Sequence, residues 1–220
     1  MSPKETGSFS ESNTKSRFTE EFDVSRETLE RFEHYREALI LWGKRINLVS
    51  KTTIDDFWNR HIIDCAQILK YTNDDEINWV DFGSGAGFPG LVVAALLSSK
   101  NPNSLVTLVD TSAKRCAFLR EGARILGANV KIENKKVEDI KTFKADVITA
   151  RAFTSLDNLL HYSYGFAQLN ARMLFLKGEE VDKEIKEAKQ NWNFDYEIHP
   201  SLSDNRGCII EIKSLTKVIE

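Results

Sequence analysis

Three glycines at alternate positions, Gly83, Gly85 and Gly87, follow the acidic Asp81 and precede Phe88-Pro89-Gly90. Alternate glycines let a backbone take positive φ and let a ligand approach with no Cβ in the way. A mostly apolar run, Ile77 to Val80, leads in, and a small apolar run, Leu91 to Leu97, leads out. Strand, glycine turn and helix together open a nucleotide-binding α/β unit, with exposed N–H groups at the helix N-terminus to meet a polar or anionic group. Gly85, Gly87 and Gly90 satisfy a dinucleotide fingerprint by letter. Pro89 weakens that reading, because it removes an N–H where a pyrophosphate would sit. Asp81 at the head of the turn would repel a pyrophosphate and suit a cation. S-adenosylmethionine carries a sulfonium and an ammonium, so the turn reads better for that cofactor. No P-loop pattern occurs in the chain.

Other polar residues fall where an α/β sheet binds ligands, at the carboxyl ends of its strands. Asp110 closes the strand Leu105–Val109 and is placed to accept both ribose hydroxyls of an adenosine, or to open the next helix with Thr111 and Ser112. After the strand Val130–Glu133 come Val137 and Glu138, where an acidic group can meet an adenine amino group. Arg151-Ala152-Phe153 follow the strand Ala145–Ala150, with Phe153 a stacking candidate whose expected use is aromatic core packing, and Lys177-Gly178 follow the strand Met173–Leu176. Lys114 and Arg115 lie in the first turn of a helix over 112–127, where positive charge opposes the helix dipole and points to an anionic partner or a solvated face. Arg60, His61 and Asp64 form either a functional cluster or a local surface ion pair.

The elements needed to position these residues can be read in order. Residues 1–20, rich in Ser, Thr, Glu and Lys, read as a disordered tail. Residues 21–76 read as a helical cap: a helix from about Ser25, with Leu29, Phe32, Leu39, Trp42, Ile46 and Val49 as its apolar stripe, then a second helical region, Ile54 to Leu69. From 77 to 220 strands and helices alternate, which predicts a mainly parallel α/β sheet covered on both faces. The hairpin-type turn Asp204-Asn205-Arg206-Gly207 predicts an antiparallel last pair, from strands near 194–199 and 208–212.

The 220 residues carry a formal charge of −3 with 41% hydrophobic and 29% charged residues. That balance excludes a globally basic nucleic-acid binder, so any RNA surface must be local. Cys65, Cys116 and Cys208 show neither a disulfide framework nor a zinc spacing, so reduced thiols in a cytoplasmic protein and no metal site are expected. No apolar run is long enough to cross a membrane, and no signal-peptide core opens the chain.

The element order resembles the class I S-adenosylmethionine-dependent methyltransferase fold, Rossmann-like and seven-stranded. The resemblance becomes specific at Leu41-Trp42-x-Lys44-x-Ile46-Asn47-Leu48, Arg60-His61-Ile62-x-Asp64, Asp81 to Gly90, Ala150-Arg151-Ala152 and Leu176-Lys177-Gly178. Together these are similar to the ribosomal RNA small subunit methyltransferase G family, also called glucose-inhibited division protein B, over roughly residues 28–215. Gly43 stands where that family usually has asparagine, and Cys65 where it often has serine.

The resemblance implies methyl transfer from S-adenosylmethionine to N7 of a guanine in 16S rRNA, in the helix 18 loop region, by a monomer acting on 16S rRNA or the 30S subunit. It implies that Gly83 and Phe88 line the cofactor, Val137 and Glu138 flank its adenine, and Arg151 lies beside it. Gly85 and Asp110 join them from the turn's geometry. Asn47, Arg60, His61, Lys114, Arg115 and Lys177 are the candidates for the RNA side. Guanine N7 has a free lone pair and no proton to lose, so no general base is required and no catalytic residue is assigned. Arg151-Ala152-Phe153 replaces the Asn/Asp-Pro-Pro-Tyr of enzymes acting on exocyclic amines, and no Pro-Cys suggests attack at a ring carbon. Methylation of another RNA, a protein or a small molecule, a nucleotide-sensing module without turnover, and an NAD(P) dehydrogenase remain the alternatives.

Overall fold

The computed structural model describes residues 11–218. The chain begins with two helices, α1 (Glu11–Phe22) and α2 (Arg26–Gly43), then a short α3 (Lys51–Ile54). A helical segment follows, made of a π-turn (Trp58–Ile63), a single turn α4 (Asp64–Ala66) and a 3-10 turn (Gln67–Tyr71). The α/β part then runs β1 (Asn78–Phe82), α5 (Gly90–Lys100), β2 (Leu105–Val109), α6 (Ala113–Leu126), β3 (Val130–Glu133), β4 (Val147–Arg151), α7 (Leu156–Ala167), β5 (Arg172–Lys177), α8 (Val181–Ala188), β6 (Trp192–Pro200) and β7 (Cys208–Lys217).

One sheet of seven strands has the order β3-β2-β1-β4-β5-β7-β6. The pairs among β1 to β5 are parallel, while β7 lies antiparallel to both β5 and β6. The order reverses between β1 and β4, which is the place where open α/β sheets bind ligands. Alternation along the strands divides the core in two. Trp79, Val147 and Ile209 pack with the cap, α5 and α6. Val80, Phe82, Ile148, Ala150 and Ile210 pack with α7 and α8 on the other face. The helix starts follow from local chemistry: Ser25, Ser112 and Ser155 each accept a hydrogen bond from the amide three residues on.

Two expectations change. Residues 11–20, assigned to a disordered tail, belong to α1, and Phe18 is completely buried against Phe32 and Trp58. Phe18 and Phe22 suffice because the pocket that receives them comes from the cap; residues 1–10 lie outside the described residues. The helical region expected over 54–69 is present as a series of turns of different pitch, which keeps Phe57, Trp58, Ile62, Ile63 and Ala66 buried together. Gly43 closes α2, so Ile46 and Val49 reach the core from the loop beyond it. No helix among the described residues is long and apolar enough to cross a membrane.

Candidate active site

The glycine turn is held from three sides. Ser84 ties it to the strand ends: its amide donates to the Val109 carbonyl at 2.9 Å, and its hydroxyl bridges the Asp81 carbonyl and the Val109 amide at 3.0 and 3.2 Å. Gly85 donates to Asp110 Oδ2 at 2.9 Å, and Asp110 Oδ1 accepts from the Ser112 amide at 2.8 Å. From the cap, Tyr35 of α2 donates its hydroxyl to the Ala86 carbonyl, while its ring stacks on Phe118 and meets Phe88 edge-on. The turn therefore keeps its shape only while β1, β2 and α2 stay assembled.

Gly83 has φ +68°, and a Cβ there would lie 2.2 Å from Cδ2 of Phe153. The Phe153 ring thus covers the open face of the turn. It is 40% exposed and not part of the core, so the packing role expected for it is corrected. A bulky apolar residue reads as core in a linear pattern. Here the left-handed Ala152 before it, φ +49°, accompanies the loop's departure from β4.

Asp81 does not face a ligand. It is fully buried, takes the Thr149 hydroxyl on Oδ1 at 2.8 Å, and sets its other oxygen against Gly90, where α5 begins. Burial pushes its carboxyl up to about 7, against the pull of the Thr149 hydroxyl bonded to it and of the Ser84 hydroxyl and Gly90 amide close by. A carboxyl of this chain therefore sits at the helix start expected to be open to an anion. That arrangement leaves a pyrophosphate no place there, which removes the support for a dinucleotide.

Cap and sheet are joined by Arg151 and Asp64. From the end of β4, Arg151 donates to the Arg60 carbonyl at 2.9 Å, approaches His61 Nδ1 at 3.4 Å and pairs with Asp64 Oδ2 at 3.2 Å. Asp64 also accepts from Gln67 at 3.0 Å, from Ser201 at 3.3 Å and from Ser203 at 2.5 Å, so the tip between β6 and β7 is tied to the cap. The local ion pair among Arg60, His61 and Asp64 is replaced by this long-range one.

His61 is 4% exposed and stacks on Phe88 with ring centroids 4.5 Å apart, so its assignment to the RNA side is corrected. Burial, with Arg151 and Arg60 nearby, lowers its pKa to about 3, leaving a neutral ring that supports Phe88. Position in sequence between Arg60 and Asp64 suggested exposure; the π-turn rotates it inward instead.

The remaining candidates separate into two groups. Arg60 and Lys177 line a cleft of about 770 Å³ beyond β4, β5 and β7, with Arg151, Phe153, Glu184 and Arg206 among its walls. Asn47 is exposed after α2, and Lys114 and Arg115 are presented by α6, on which α2 packs through Trp42, Tyr35 and Phe118. Arg115 lies 3.7 Å from Asp110. Val137 is buried, and Glu138 is exposed with Oε1 accepting from Tyr162 at 3.2 Å. Tyr35, Ser201, Ser203, Glu184 and Arg206 were missed by sequence reasoning. Arg206 carried a signal, a cation in a tight turn; the others act through contacts at long chain separation. Away from the site, Glu197, His199 and Glu211 gather their ligating atoms, but Lys213 pairs with Glu197 and Arg172 with Glu211.

The family model described as rRNA small subunit methyltransferase G matches residues 28–208. A ribosomal RNA small subunit methyltransferase G of Ruegeria sp. (strain TM1040) is 39% identical over 90% of this chain and 96% of its own length. That of Rickettsia prowazekii (strain Madrid E) is 37% identical over 89% of this chain and 99% of its own. Among solved structures, the magnesium protoporphyrin IX methyltransferase of Synechocystis PCC 6803, with bound S-adenosylmethionine, superposes with a TM-score of 0.54 at 13% identity, covering 87% of this chain and 98% of that one, and so shares the fold. The chain belongs to the rRNA small subunit methyltransferase G family, whose members are S-adenosylmethionine-dependent methyltransferases.

Proposed function

We propose that this protein transfers the methyl group of S-adenosylmethionine to N7 of a guanine in 16S rRNA, acting as a cytoplasmic monomer on the rRNA or the 30S subunit. The observation that carries the reading is the juxtaposition at Phe153. Its ring covers Gly83 of the glycine turn on one side and lines the 770 Å³ cleft on the other. Donor and acceptor thus meet at one residue.

On the donor side, Gly83 and Gly85, with no side chains in the way, would carry the methionyl part of the cofactor. Asp110 uses one lone pair on each oxygen for the Gly85 and Ser112 amides, and a carboxylate has further lone pairs for the two ribose hydroxyls. Val137 and Glu138 flank the adenine. Phe88, braced by His61 and Tyr35, and Arg151, braced by Asp64, hold the walls in place.

On the acceptor side, the cleft receives a guanine turned out of its stack, as chemistry on a structured RNA base demands. The N7 lone pair forms the new bond to carbon while the carbon–sulfur bond breaks and its electrons go to sulfur. S-adenosylhomocysteine leaves, and the base gains a positive charge without losing a proton. With no proton to move, catalysis rests on alignment, for which held geometry supplies about 7–11 kcal/mol at best. Arg60, Lys114, Arg115 and Asn47, with Arg206 at the cleft mouth, meet the phosphates around the base. Mapping N7-methylguanine in 16S rRNA from cells with and without the gene tests the reading: one site should disappear without it, and retention of every site refutes it.

A further inference from the structure

One wall of the cleft carries a cation and an anion bound to each other. Lys177, at the end of β5, donates to the Thr154 carbonyl at 2.9 Å and to Glu184 Oε2 at 2.7 Å. The same Oε2 accepts the Leu156 amide at 2.6 Å, so Glu184 is anchored at the start of α7 as well. Only 8% of the Lys177 side chain and 22% of the Glu184 side chain are exposed, and both line the cleft. An ammonium has three donors, and two are used; a carboxylate has two oxygens, and one takes both bonds. What the pair offers the cleft is one N–H donor beside one carboxylate oxygen.

Guanine presents the complement of that pattern. Its O6 accepts, and the adjacent N1–H and exocyclic amine donate. Adenine presents the reverse at the same two positions, a donor at N6 and a lone pair at N1. We propose, building on the function proposed above, that Lys177 and Glu184 form the base-reading element of the acceptor cleft: Lys177 donates to O6, and Glu184 Oε1 accepts from N1–H. O6 lies between N1 and N7 along the base edge, so a base held through O6 and N1–H leaves the N7 lone pair unengaged. The remaining walls suit a purine: Ala150, Leu159 and Leu176 are apolar, and Phe153 offers a ring face for stacking.

The pair also serves the reaction. Methylation makes the ring cationic, which strengthens N1–H as a donor. A carboxylate on that edge is held more tightly in the transition state than in the ground state, and only such a difference lowers the barrier. Lys177 alone would oppose the developing charge; Glu184 beside it offsets that opposition. A site built for one hydrogen-bonding pattern rejects the reversed pattern steeply, because its own buried groups are left unpaired.

The test uses 30S subunits reconstituted with 16S rRNA carrying guanine, inosine or 1-methylguanine at the methylated position. Inosine keeps O6 and N1–H and lacks only the exocyclic amine, so wild-type enzyme should methylate it within about 10-fold of guanine. 1-Methylguanine keeps N7 and O6 but lacks N1–H, and its methylation should fall by at least about 100-fold. Glu184→Gln should lower kcat on guanine by about 10- to 100-fold with a smaller change in KM, and should leave binding of S-adenosylhomocysteine within twofold of wild type. If that variant fails to fold, the three bases with wild-type enzyme still decide. Methylation of 1-methylguanine as fast as guanine overturns the pair's role and leaves the proposed function standing. No methylation of guanine by wild type, in the reconstituted subunits or in free 16S rRNA, overturns both.

Discussion

Replacing Gly83 by alanine tests whether the turn's open face is the cofactor's path. Two costs arise in the free protein. An L-residue at φ +68° is disfavoured by about 1–2 kcal/mol. The new methyl would also lie 2.2 Å from Phe153 Cδ2, so the ring must swing aside. Phe153 is 40% exposed, so it swings into solvent and adds little to the first cost. For a chain of this size, about 1–2 kcal/mol lowers the melting temperature by about 2–8 °C. The larger effect falls on binding, because the added methyl occupies the surface over which the cofactor passes. Titration calorimetry with S-adenosylmethionine and with S-adenosylhomocysteine should show affinity at least tenfold weaker, about 1.4 kcal/mol. Gly43→Ala is the control: nothing lies within 4 Å of its added carbon, it ends a helix, and it should leave cofactor affinity unchanged. Equal affinity of Gly83→Ala and wild type for both ligands, with the melting temperature lowered as expected, would refute the placement.

Tyr35→Phe removes the donor to the buried Ala86 carbonyl and should cost about 1–3 kcal/mol in chemical denaturation, with weaker cofactor binding in proportion. Arg151→Ala leaves Asp64 without its cation and should cost about 3–5 kcal/mol, measured the same way. His61 has a pKa lowered to about 3 from an ordinary 6.5, so between those values the unfolded chain binds a proton that the folded one does not. Its contribution to stability is present above pH 6.5 and is lost as pH falls from 6.5 toward 3, at up to about 1.4 kcal/mol per pH unit. Asp81, raised to about 7 from 3.8, acts with the opposite sign between those values, so the comparison of wild type with His61→Phe across pH 4.5–6.5 isolates the histidine: the variant should show the shallower acid loss. Arg60→Gln and Arg206→Gln should each flatten the dependence of log RNA affinity on log salt by about 0.7, and an unchanged slope would remove that residue from the phosphate surface.

The sheet was readable because each of its signals is local. Gly83 to Gly90 announces a turn, and β-branched runs bounded by polar residues announce strands. Asp204 to Gly207 announces a hairpin, so even the antiparallel β7 could be placed. The position of Asp110 beside the glycine turn, and of Lys177 at a strand end, was legible for the same reason. The misreadings concern direction and not location. Asp81 and His61 lie where expected along the chain, yet each turns inward: Asp81 toward the start of α5, His61 onto Phe88. Which way a side chain points at a strand end or in a π-turn depends on what packs there, and that comes from distant segments. Phe18 shows the same limit, since a polar stretch becomes an ordered helix only because Phe32 and Trp58 receive its ring. Asp64, Ser201 and Ser203 show it again, because no local pattern links a cap helix to a hairpin tip more than 130 residues away.

The account stands most directly on transfer itself. Purified protein incubated with S-adenosylmethionine labelled in its methyl group, and with 30S subunits or free 16S rRNA from cells lacking the gene, should place about one label per 16S molecule. Nuclease digestion and mass spectrometry should recover that label as N7-methylguanine at a single position, with rRNA from wild-type cells accepting none. Label recovered on another atom, on protein alone, or equally on rRNA from both kinds of cell would contradict the account.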